Sequence, residues 1–321
     1  MRFSLLCFLS LTCLAQSYPP AAGEAGSTAI PKESPNFVAW ATEISVERGY
    51  VNISNPTLTA AGSNFASAGL PEYATGFPDG NTVSLGDGGF AIATFDSAVR
   101  NDEGFDFAVF ENGSTAYLEL AFVEVSSDGQ HFFRFPNHSQ TETATQIGSF
   151  GTPSAPYLNN LAGKYAALYG TPFDLSDLPD DALLDKNSIT HVKIIDVVGS
   201  INPDFASQDS FGNAVNDSFP TPFNSCGFDL QAVGVIHQQS LGVNDQDLSE
   251  VSVYPNPTSG EIHVNSDENC VFSIFALDGK MVVAPQKISG NTIDLTHLPI
   301  GIYLAKIKIG EKTKVVKVMK K

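Results

Sequence analysis

The chain has 321 residues, 42% of them hydrophobic and only 16% charged, with a formal net charge of −18. That apolar content excludes global disorder, and the length suits about two domains. The acidic balance argues against nucleic acid as a partner, because phosphate contacts need Lys and Arg.

The first element is an export signal. Arg2 supplies a positive start, residues 3–14 form an apolar run, and Ala15 closes it with a small residue. Residues 1–15 therefore read as a signal peptide, and the run is too short to span a bilayer as a helix. Residues 16–35, rich in Pro, Ala, Gly and Ser, read as a flexible leader. Phe at 23 and Gly at 27 favour strands and tight turns over helices. Residues 36–238 accordingly show short apolar runs between turn signals. Runs at 83–85, 90–95, 105–110, 118–125, 131–135, 191–198 and 228–236 predict an antiparallel β-sandwich. Gly86-Asp87-Gly88-Gly89 and Ser126-Ser127-Asp128-Gly129 supply turns. Weak helical periodicity appears at 159–169 and 174–184, and residues 202–224 read as a long loop crowded by Asp204, Asp209 and Asp217.

A polar linker follows at 239–249, and residues 250–321 read as a small all-β module of five or more strands. The charge breaks at the same place. Residues 16–249 hold 7 Lys and Arg against 28 Asp and Glu, whereas 250–321 hold 9 against 7. Of four cysteines, Cys7 and Cys13 leave with the signal. A disulfide between Cys226 and Cys270 is possible but not implied, and no Cys-x-x-Cys pair suggests a metal.

The last module carries three motifs in order. Val253-Tyr254-Pro255-Asn256-Pro257 is followed by Thr258 and Gly260; Leu298-Pro299-Ile300-Gly301-Ile302-Tyr303 comes next; Lys314-Val315-Val316-Lys317-Val318 closes. The segment resembles the type A C-terminal sorting domain of the Bacteroidetes type IX secretion system. The resemblance implies an Ig-like β-sandwich, passage through the outer membrane by the type IX machinery, removal of the tail by its sortase, and attachment to surface lipopolysaccharide. Its sorting residues are then Tyr254, Pro255, Asn256, Pro257, Gly260, Leu298, Gly301, Tyr303, Lys314 and Lys317. The residues agree with a domain: Pro255 and Pro257 cannot donate to a central ladder and suit an edge or turn. Gly301 permits a tight approach into the last hairpin.

The body carries recurrent segments of its own. They are Val83-Ser84-Leu85-Gly86-x-Gly88-Gly89, Phe105-Asp106-Phe107-x-Val109-Phe110-Glu111-Asn112, Glu124-Val125-Ser126-Ser127-Asp128-Gly129, Gly170-Thr171-Pro172-Phe173-Asp174-Leu175 and Gly227-Phe228-Asp229-Leu230. These are similar to segments of uncharacterised jelly-roll bacterial surface proteins, galactose-binding-like in type. A weaker similarity reaches surface proteins of vitamin uptake, cobalamin in particular. Asp96-Ser97-Ala98 resembles the short O-glycosylation acceptor pattern of this bacterial group, with Ser97 as acceptor.

Several carboxylates interrupt apolar strands: Asp106, Glu124, Asp196 and Asp229. Bases that could pair with them are few. Two readings stand: the acids face solvent or backbone donors, or some of Glu111, Glu124, Asp196 and Asp229 hold a structural Ca²⁺. The jelly-roll resemblance favours the metal; the absence of an Asp-x-Asp-x-Asp-Gly loop does not. Catalytic patterns are missing. The His residues at 131, 138, 191, 237, 263 and 297 form no His-Glu-x-x-His helix, and there is no Gly-x-Ser-x-Gly elbow. Glu111 and Glu124 offer a carboxylate pair for glycoside hydrolysis. Trp40, Tyr50, Tyr73, Phe77, Tyr157 and Tyr169 sit where rings could stack on a ligand. The leading expectation is a secreted, outer-surface, non-enzymatic binding protein for a carbohydrate or other small exogenous ligand. Its rivals are a secreted polysaccharide hydrolase, a structural or adhesive surface protein, and a capture protein for a cofactor such as cobalamin.

Overall fold

The computed structural model describes residues 18–239, 251–265, 270–277, 279–287, 292–309 and 312–321. The signal at 1–15 and the linker from 240 onward lie outside the described residues. The chain divides into two compact units between Gln239 and Ser240. Among the described residues no helix is long and apolar enough to cross a membrane.

Among its described residues the first unit has thirteen strands: β1 (Ile30–Pro31), β2 (Ala39–Trp40), β3 (Glu43–Glu47), β4 (Val83–Ser84), β5 (Phe90–Val99), β6 (Phe107–Glu111), β7 (Ala121–Ser126), β8 (Phe133–Arg134), β9 (His138–Ser139), β10 (Leu158–Asn159), β11 (Tyr169–Phe173), β12 (Ile189–Asp196) and β13 (Asp229–Val235). One sheet runs β1-β11-β6-β13-β2 with β4 also on β13; the other runs β3-β5-β12-β7-β8. The pairings are antiparallel. Phe107, Val109, Phe173 and Val233 from the first sheet meet Ala91, Val123, Val192 and Ile194 from the second in one core. Alternation makes this possible: every second residue of β12 turns inward. In β6 every residue is buried, because Phe37 and Trp40 cover the outer side of Ala108 and Phe110. The body is therefore the expected two-sheet sandwich.

From Tyr18 onward the leader makes contacts with the body. The Tyr18 hydroxyl bonds His138 Nδ1 at 2.6 Å, Lys164 Nζ donates to Pro19 O at 3.2 Å, and Ile30 pairs with Gly170 at the sheet edge. Segments 159–169 and 174–184 form no α-helix. Asn160, Gly163 and Leu168 have positive φ, which breaks helical geometry. In the second segment only Leu175–Asp177 makes a 3₁₀ turn, capped by Asp174.

Among its described residues the second unit has seven strands: β14 (Ser252–Tyr254), β15 (Glu261–Asn265), β16 (Cys270–Ala276), β17 (Met281–Lys287), β18 (Thr292–Asp294), β19 (Gly301–Ile309) and β20 (Lys312–Lys320). They form sheets β14-β15-β18 and β17-β16-β19-β20. Ile262, Val264 and Ile293 of one face Phe272, Ile274, Ala305 and Ile307 of the other, so this unit is a small β-sandwich too. Cys226 and Cys270 are both buried, each in the core of its own unit.

Candidate functional site

The antiparallel order brings one set of strand ends together in the body. The ends of β6 and β12 and the starts of β5, β7 and β13 meet at the same end of the sandwich, where the long loop between β12 and β13 closes it. Glu111, Asp196 and Asp229 gather there, and three further acids join them: Asp87, Glu119 and Asp217. Five of the six are at most 5% exposed.

Each acid is tied to the backbone or a hydroxyl. Gly113 N–H donates to Glu111 Oε2 at 2.6 Å. Phe228 and Gly88 N–H groups donate to the two oxygens of Asp196 at 2.7 and 3.0 Å. Leu120 and Ser218 N–H groups do the same for Asp217, both at 2.7 Å. Ile53 N–H reaches Asp87 at 2.9 Å, the Tyr117 hydroxyl reaches Glu119 at 3.1 Å, and the Ser84 hydroxyl donates to Asp229. Gly227, at φ +68°, permits the approach. A Cβ there would lie 2.6 Å from Asp196 Oδ1. Arg48 spends its donors on the carbonyls of Ala68, Ser84 and Gly69.

Burial dominates the electrostatics. It pushes Asp87 and Asp229 up to about 6 and Asp217 up to about 7. Glu111, Glu119 and Asp196 rise well above the usual carboxylate range, through burial first and then through the charges of neighbouring acids. Such a cluster shares protons at neutral pH. Its hydrogen bonds tie the loops around it to the strand ends.

Glu124 is elsewhere. It lies on the outer face of β7, where Arg134 Nη2 sits 2.8 Å away and Arg134 Cζ lies 4.4 Å from the Phe122 ring centroid. Glu111 points inward from the other sheet, so the two do not form the pair that glycoside hydrolysis needs. Among the described residues, no three His, Cys, Asp or Glu side chains group so as to hold a metal ion. The four candidate Ca²⁺ ligands thus split three to one. Asp106, a solvent-facing candidate, is fully buried at the opposite end. It accepts from Asp102 N–H at 2.9 Å, Leu175 N–H at 2.8 Å and His237 Nδ1 at 2.8 Å. Ser97 is half-buried inside β5, with its carbonyl bound by Gln238.

Above the acidic cluster the loops expose rings. Tyr50 stacks on Phe65 at 4.8 Å between centroids, and Phe150 lies 5.6 Å from Phe223. The segments are joined, because Ser67 and Ala68 N–H groups both donate to Asn224 O. Phe150 is 76% exposed. Trp40 is not part of this face: it packs on Phe37, Phe77 and Phe110. Sequence reading missed Glu119 and Asp217 as buried, although Glu119 sits between Leu118 and Leu120 in the same apolar context as Glu124. It also missed Phe150 and Phe223, which have only turn residues as neighbours.

In the second unit the first and last motifs are sewn together. Asn256 Nδ2 donates to Lys317 O at 2.6 Å, and Met319 N–H donates to Asn256 Oδ1 at 2.9 Å. Thr258, 1% exposed, pairs with β20 through Met319 O and Lys321 N–H. Pro255 and Pro257 flank Asn256 in cis peptides. A Cβ at Gly260 would lie 2.7 Å from Thr296 Cγ2, so that exposed side chain would have to give way. Leu298 enters the core, and the Tyr303 hydroxyl donates to Pro299 O at 2.8 Å. Tyr254 is exposed beside His263; Lys317 is exposed and Lys314 half-buried on β20. Gly301 departs from expectation: it starts β19 opposite Lys320, away from the hairpin turn, and a Cβ there meets only ordinary contacts.

Residues 252–321 match the family of secretion-system C-terminal sorting domains. This unit is a type IX sorting domain. The sorting domain marks the protein as a substrate of the type IX machinery, secreted and attached at the cell surface. No curated protein matches the chain. A Ruminococcus gnavus beta-glucuronidase structure overlaps at 10% identity and a TM-score of 0.17, covering 78% of this chain and 38% of that one. The chain thus spans well under half of that enzyme, and so low a score carries no argument about fold or function.

Proposed function

We propose that the body is a non-enzymatic binding module, delivered to the outer surface by the sorting domain, and that it takes a carbohydrate on its exposed aromatic face. The carrying observation is the pair of ring contacts, Tyr50 stacked on Phe65 and Phe150 tilted against Phe223, on joined loops at one end of the sandwich. Aromatic faces stack on the apolar face of a sugar ring, and an exposed ring at Phe150 has no core role to explain it. The buried acids beneath support the reading by holding those loops in one geometry. Binding rather than hydrolysis is favoured because Glu111, the first of the candidate pair, is buried and Glu124, the second, is ion-paired with Arg134 on the other sheet. In this reading the tail is removed by the sortase and the body is joined to surface lipopolysaccharide.

A glycan array probed with the body, followed by a hydrolysis assay on every bound glycan, tests the proposal. Binding without product release is expected. Phe150→Ala should weaken it about tenfold, the worth of one stacked ring. Reducing sugar released from a bound glycan, or undiminished binding by the variant, rejects it.

A further inference from the structure

The body holds one buried base among its described residues, and that base has no acid. Lys164 is 4% exposed. Its ammonium donates to Leu158 O at 2.7 Å and Pro19 O at 3.2 Å and sits 5.2 Å from the Tyr165 ring centroid. The ion pairs found in the body use Arg100, His131, Arg134, Lys186 and His237 instead. An ammonium has three donors, and these two carbonyls take two. A buried cation without a counter-charge is unfavourable, because it gives up hydration with no opposite charge in return. In a segment with four times as many acids as bases, leaving this one unpaired is anomalous. Burial alone, with no charged neighbour contributing, lowers its pKa to about 8.

Lys164 lines a pocket of about 290 Å³. Leu118 and Ala22 give it apolar wall, Thr115 and Ser154 give hydroxyls, and Glu24 is its one acid. Glu24 is exposed, and none of the ion pairs among the described residues joins it to Lys164. We infer that this pocket is a binding site for a small organic monocarboxylate, whose carboxylate supplies the counter-charge Lys164 lacks. A single ammonium favours one negative charge, and Glu24 disfavours a second. The apolar wall suits a short carbon skeleton. The ordered N-terminal segment, through Pro19 and Ala22, builds one side of the site. The inference stands apart from the carbohydrate reading, since it uses none of the four rings.

Thermal unfolding of the full chain tests it, with sodium acetate, lactate and pyruvate as probes, sodium chloride at equal ionic strength as control, and lactamide as the neutral isostere. At ten times Kd a carboxylate should raise the melting temperature by about 3 °C. Lactamide and chloride should not. Lys164→Met, which removes the charge and keeps the stem, should fold and lose the shift. Ala22→Phe, which fills the pocket without touching Lys164, should lose it as well. No shift with any of the three acids overturns the proposal. So does an equal shift with lactamide, or a shift retained in both variants.

Discussion

Burial decides the behaviour of single acids in this protein, and the direction can be worked out. Asp87, Asp229 and Asp217 have folded pKa values of about 6, 6 and 7, above those of the unfolded chain. The folded state therefore binds protons more tightly than the unfolded state. Their contribution to stability is full below about pH 4 and is lost as pH rises through 6 to 7. Exposed acids such as Asp128 and Asp180 are shifted down by hydrogen bonds and weaken the fold only at lower pH. The melting temperature of the body should therefore peak near pH 5 and decline toward pH 8. Asp217→Asn, which cannot ionise, should make that decline shallower. A flat profile from pH 5 to 8 in the wild type contradicts the assignment. The pattern Leu118-Glu119-Leu120 was visible in the sequence, but a strand alternates and Glu124 in the same context faces out. Only the fold separates Glu119, which turns in, from Glu124, which meets Arg134.

Among elements, the short ones do the joining. The Pro255-Asn256-Pro257 turn behaves as an extra edge of β20, because the Asn256 amide offers a donor and an acceptor where a strand would. Asn256→Ala should lower the stability of the sorting domain by about 1–2 kcal/mol. It should also reduce the amount reaching the surface, read by denaturant unfolding and by surface labelling. Stability unchanged within error contradicts the stitch. At the other end of the chain, β1 covers the edge of β11 with two residues, one of them proline. Proline blunts an edge against further pairing. Deleting residues 18–34 should therefore lower the body's melting temperature and promote self-association, seen by size-exclusion chromatography. A truncated chain that melts and elutes as the parent does would show the segment to be dispensable. Composition rich in Pro, Ala and Gly made this stretch look like a free leader. Composition cannot register a hydrogen bond to His138, which lies 120 residues away.

At the scale of the whole molecule, address and cargo are separate units of opposite charge balance. The acidic body holds 7 bases to 28 acids over residues 16–249, and the tail has a slight basic excess. Acid on the cargo keeps it soluble and away from polyanions. Deleting residues 250–321 should leave the body folded yet trapped in the periplasm. Surface labelling that survives the deletion would falsify the role of the tail.

The sequence by itself determined the class of the fold, the division near residue 240 and the identity of the tail. These rest on local features: period-two runs, Gly-rich turns and three short motifs in order. Strand positions in the body were legible for the same reason. The tertiary structure alone decided which acids meet. Leu120 reaches Asp217 across 97 positions and Phe228 reaches Asp196 across 32. It also decided that Lys164 sits beside Pro19, 145 positions away, and stays without an acid. Such contacts depend on how loops close over strand ends, and no local pattern encodes that closure.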